Sequence, residues 1–165
     1  MANRQNNRAV TLIEMLVVLG IILVLAGIVV TATLRVDTRS KENALDNAFA
    51  LLGTSLREYF EVKDQFPEQP ERNAPANAVA HIELMVRELR SVPDSRHVLD
   101  QINHALFKSE AGDPDVPELR DPWGTVLDYV YDPNGGDSFP ELISAGRDKQ
   151  FGTGDDIDSK GRPQN

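Results

Sequence analysis

The chain predicts an α+β fold: a long N-terminal helix, half apolar stem and half amphipathic, packed on a small antiparallel sheet. Three observations carry that expectation. Met15 to Leu34 is an uncharged, strongly apolar run. Beyond Arg35, apolar residues recur at three- and four-residue steps up to Phe60. After Arg120, turn signals alternate with short apolar runs.

The stem comes first. As a helix, Met15–Leu34 would be roughly 30 Å long, the thickness of a bilayer's hydrocarbon core. It is apolar on every face, unlike a surface helix of a globular domain. Arg4 and Arg8 precede it without an acidic companion, and flanking positive charge stays cytoplasmic. The bulk of the chain is therefore expected on the outward side of the membrane, after a single pass. Glu14 interrupts this pattern at the edge of the run. A carboxylate near lipid depth is costly and calls for a partner or a wet interface.

Arg8-Ala9-Val10-Thr11-Leu12-Ile13-Glu14, followed by the apolar run, resembles the class III signal of type IV pilins and pseudopilins. The resemblance implies that a prepilin peptidase cuts between Ala9 and Val10 and that the new N-terminus is methylated. Residues 1–9 would be the leader, 10–34 the transmembrane and filament-core helix, and 35–165 the extracytoplasmic domain. Glu14 would be the fifth mature residue, placed to neutralise the terminal ammonium of a neighbouring copy. The sequence departs from the family in two places, with Ala9 where Gly is usual and Val10 where Phe is usual.

The amphipathic half is expected over residues 35–62. Ala44, Leu45, Ala48, Phe49, Leu52, Leu56, Tyr59 and Phe60 form one apolar face. Gly53 lies within it at a cost of about 1 kcal/mol. Asp64-Gln65-Phe66-Pro67 ends the helix, and the stretch to Asn77 reads as a surface loop.

A helical variable region is expected over residues 78–108. Ile82, Met85, Val86 and Leu89 mark one helix from Ala78 to Leu89. A second has Pro93 in its first turn and runs to about Phe107, burying Val98, Ile102, Ala105 and Leu106. Residues 110–118 read as a loop. His81, His97 and His104 fall in this region and are expected at the surface or its boundary.

Residues 119–158 should hold a hairpin and an acidic loop. Asp121-Pro122-Trp123-Gly124 is a turn signal, with Trp123 capping the small core. Val126–Tyr131 and Phe139–Ile143 read as strands about a turn containing Asn134-Gly135. The loop from Ser144 to Asp158 combines Gly146, Gly152 and Gly154 with Asp148, Asp155, Asp156 and Asp158. Hard oxygen donors on a tightly turning backbone suit calcium, although the spacing is not that of an EF-hand. A solvated acidic turn has the same composition.

The Asp-Pro-Trp-Gly turn, the hairpin, and then Ser-Ala-Gly-x-Asp, Gly-x-Gly and Asp-Ile are similar to the C-terminal region of the major pseudopilin of type II secretion systems. That resemblance implies a calcium-binding loop. Asp148 and one or both of the adjacent Asp155 and Asp156 would be side-chain ligands, Ile143 or Ser144 would give a backbone carbonyl, and Asp158 would be a weaker fourth candidate. Arg147 and Lys149 flank Asp148, where they would weaken the site or pair with excess carboxylates. The resemblance covers roughly residues 8–67 and 119–158. Residues 78–118 are longer and more helical than the family's variable region.

Composition narrows the function. The net charge of −9 argues against nucleic acid, which needs basic contacts. The absence of Cys removes disulfides, thiolate zinc sites and thiol nucleophiles. No phosphate-binding loop, Ser-His-Asp set or zinc motif stands out, so an enzyme is not expected. The resemblance implies a structural subunit of a type II secretion pseudopilus. Its partners would be copies of itself, minor pseudopilins, an inner-membrane assembly platform and the prepilin peptidase. A type IV pilus or competence pilin, used for adhesion, motility or DNA uptake, is the alternative. Such pilins often close their C-terminal end with a disulfide, which this chain lacks.

Overall fold

A computed structural model describes residues 12–69, 76–108, 117–136 and 138–161, with the side chains of residues 29–36 and 135 outside that description. The expected leader and the Ala9–Val10 bond lie outside the described residues. The chain divides into two units after Ser40. Helix α1, Leu12–Lys63, begins in the first and ends in the second.

In the second unit, the apolar face of α1 is the floor of the core. Leu45, Ala48, Phe49, Leu52, Leu56 and Tyr59 are all buried. Phe60 departs from the expectation and is 39% exposed. Its ring instead lies 4.7 Å from that of Phe66, which is itself buried. Helix α1 ends where Asp64 turns to φ 56, its N–H still donating to the Phe60 carbonyl at 2.8 Å. A left-handed residue there terminates a helix by pointing the chain away from its axis.

Helix α2, Ala78–Ser91, and helix α3, Pro93–Leu99, are joined at Val92. Val92 is extended, as the residue before a proline is driven to be. Pro93 opens α3, where its missing N–H leaves no bond unmade. Ile82, Met85, Val86 and Leu89 are buried as their spacing predicted.

Helix α3 is shorter than expected. It stops at Leu99 rather than near Phe107, and a separate 3-10 turn covers His104–Leu106. Asn103 makes the break. Its backbone leaves the helical region, and its side chain accepts the Ala105 N–H at 3.0 Å, starting a new turn. Ile102 and Leu106 keep their buried places, while Ala105 is exposed and Val98 only partly buried.

The sheet elements are short. Strands β1, Phe107–Lys108, and β2, Glu118–Leu119, pair antiparallel within the stretch expected as helix end and loop. Strands β3, Asp128–Val130, β4, Glu141–Ser144, and β5, Ile157–Asp158, form an antiparallel sheet in the order β3-β4-β5. Asp128 faces Ile143 and Ser144 faces Ile157 in the register. An Arg120–Val126 bridge flanks the Asp-Pro-Trp-Gly turn.

The expected hairpin exists with trimmed strands. Pro140 has no N–H to give, and β4 begins after it. Between the strands, Pro133–Gly135 form a 3-10 turn, with the Asp132 carboxylate accepting the Asn134 N–H at 3.0 Å. One core joins α1, α2 and α3 to the strands through Leu52, Leu56, Ile82, Leu99, Leu119, Tyr129 and Leu142, with Trp123 packed at its margin.

Candidate functional site

The acidic loop leaves the sheet at Ser144. The side chain of Ser144 is fully buried, and its hydroxyl donates to Asp121 Oδ2 at 2.7 Å while accepting the Gly146 N–H at 3.2 Å. Asp121 is buried as well. Its other oxygen accepts the N–H groups of Trp123 and Thr125 at 3.0 and 2.9 Å. One carboxylate thus folds the Asp-Pro-Trp-Gly turn and ties it to the root of the loop. Sequence reasoning gave Asp121 no such task, although an Asp two residues ahead of a turn amide is the signal that marks it.

Gly146 then lets the loop fold back on itself. Its φ is 66, and a Cβ there would collide with the carbonyl oxygen of Asp155 and lie 2.8 Å from Asp155 Oδ2. That close approach is the reason for glycine. Asp155 Oδ2 accepts the Arg147 and Asp148 N–H groups at 2.9 and 3.1 Å, and Oδ1 accepts the Thr153 hydroxyl at 2.6 Å. The Thr153 hydroxyl, joined by those amides, lowers the Asp155 carboxyl to about 2.

The remaining expected ligands are placed differently. Asp148 Oδ1 accepts the Gln150 N–H at 2.8 Å, and Asp156 Oδ2 accepts the Gly152 N–H at 2.6 Å. Asp158 lies on β5, with its Oδ1 accepting the Lys160 and Gly161 N–H groups. The Ile143 backbone belongs to the β-ladder, facing Asp128 and Asp158. Among the described residues, no group of three or more His, Asp or Glu is assembled to hold a metal ion. One oxygen stands apart. Asp156 Oδ1 is shielded from solvent and has no hydrogen-bond partner.

A cleft of about 410 Å³ opens beside the loop, lined by Glu42, Trp123, Arg147, Asp155, Asp156 and Asp158. Of the flanking cations, Arg147 pairs with Glu42 of α1, Nη2 to Oε1 at 3.1 Å. Both ends of that pair are solvated enough to make it a small contribution. Glu42 joins the site from a helix whose apolar spacing gave no hint of it.

The histidines separate. His97 and His104 are exposed, as expected. His81 is fully buried, a correction to its expected surface place. Its Nδ1 lies 2.9 Å from Asp128 Oδ1, itself buried. The Gln69 side-chain nitrogen also approaches this Nδ1, at 3.3 Å. The His81–Asp128 pair ties α2 to β3 and supplies the hydrogen bond that a buried imidazole requires.

In the first unit, α1 presents Leu12 to Ile28 with every side chain exposed. Leu12 is 83% and Leu23 72% accessible. Glu14 is in its first turn, where a carboxylate favours the positive end of a helix dipole. Among the described residues no helix is long and apolar enough to cross a membrane.

So extended an apolar helix surface, led by a carboxylate, needs a covering. Residues 4–30 carry the prokaryotic N-terminal methylation motif. That match spans Arg4 and Arg8, the Ala9–Val10 bond, Glu14 and most of the apolar run. It supports a pilin-type structural subunit, processed at its N-terminus and assembled into filaments from the inner membrane, rather than an enzyme. No curated protein and no solved structure matches the chain.

Proposed function

We propose that this chain is a structural subunit of a type II secretion pseudopilus. The observation that carries the reading is the methylation motif at residues 4–30, whose described apolar side chains, Leu12 to Ile28, are all exposed. The prepilin peptidase removes residues 1–9, and Val10 becomes the methylated N-terminus. The stem holds the protein in the inner membrane by a single pass, with the head in the periplasm. Stems then pack into a filament core through heterologous contacts that do not close, which gives a helical polymer. Minor pseudopilins and an inner-membrane platform complete the assembly. The acidic loop and the lack of cysteine favour secretion over a pilus used for adhesion, motility or DNA uptake.

Calcium on the C-terminal loop is part of this proposal. The donor chemistry fits a hard cation at one point above all, the shielded Asp156 Oδ1 that no donor satisfies. Asp148, whose Oδ1 accepts the Gln150 N–H, joins it, and Asp158 and the Ile143 or Ser144 carbonyls complete the candidate set. Asp155, already accepting three hydrogen bonds, contributes by shaping the loop around them. Bound calcium would supply positive charge that draws the loop carboxylates together.

Three experiments test the reading. Expression with a prepilin peptidase should yield a product that begins at methylated Val10 by mass spectrometry. Deleting the gene should then abolish export of secreted proteins while leaving surface pili intact; lost pili with normal export would favour the alternative. Calcium should raise the unfolding temperature of the purified protein and perturb the emission of Trp123, its sole tryptophan, which lines the cleft. Asp156→Asn should reduce both responses. Equal stability in calcium and in chelator would remove the cation from the proposal and leave the filament role standing.

A further inference from the structure

We draw no further inference here: the strongest candidate, the cleft lined by Glu42, Trp123, Arg147, Asp155, Asp156 and Asp158, belongs to the loop site already described.

Discussion

Gly146 shows how a single missing side chain can decide a loop. Its positive φ and its contact with the Asp155 backbone are two separate reasons for glycine, and they can be measured apart. In Gly146→Ala both penalties apply, strain at φ 66 and a methyl group driven into Asp155. Gly152 has φ 83 with open space around it, so Gly152→Ala meets the backbone penalty alone. That penalty is about 1–2 kcal/mol, and forced overpacking adds roughly 1–3 kcal/mol. At about 2–4 °C per kcal/mol for a chain of this size, Gly146→Ala should melt several degrees below Gly152→Ala in parallel thermal scans. Equal losses would mean that the contact with Asp155 does not matter to stability. The sequence singled out Gly146 as a turn residue. It could not reveal that the space its Cβ would need is occupied by a residue nine positions later.

Helix α1 shows what periodicity can and cannot convey. Its buried face from Leu45 to Tyr59 follows from three- and four-residue spacing, because each such step returns to the same side of the helix. Gly53 breaks no rule of that face. It is partly exposed, and a Cβ would meet nothing within 4 Å. Gly53→Ala should therefore stabilise the fold by about 0.5–1 kcal/mol, read as a higher denaturant midpoint at unchanged slope. A drop in the midpoint would show that this position approaches something the isolated chain does not contain. The same logic explains where sequence reading ended. Helices α2 and α3 were legible at their starts, where Pro93 and the apolar spacing speak locally. The end of α3 depended on the Asn103 side chain choosing the Ala105 amide, a competition that apolar periodicity ignores. Strands β1, β2 and β5 have two residues each, too few for alternation to register. His81 looked like a boundary residue because its partner, Asp128, is 47 positions away.

At the scale of the whole molecule, the two units pose opposite problems. The head gathers most of its apolar side chains in one core, and the stem exposes Leu12 to Ile28. In the proposed filament the stem's covering is first lipid and then neighbouring stems. Lipid tails are as apolar as leucine, so moving from one to the other yields little hydrophobic gain, and something else must favour assembly. Glu14 provides it in this reading, as a carboxylate that meets the methylated ammonium of Val10 on the next copy. Removing one partner of a buried ion pair leaves the other uncompensated, at a cost of about 3–5 kcal/mol. Glu14→Ala should therefore be cleaved after Ala9 and methylated as usual, because the change lies beyond the cut bond, yet remain in the membrane as unassembled subunits. The measurement is a pair of readouts on one strain: intact mass of the processed subunit, and filaments sheared from cells and counted by electron microscopy. Normal processing with absent filaments is the expected result. Filaments of ordinary length and number from Glu14→Ala cells would show that stem packing alone holds the polymer. Glu14 would then be an interfacial carboxylate at the head of an apolar helix, and the drive to assemble would have to come from contacts between the heads.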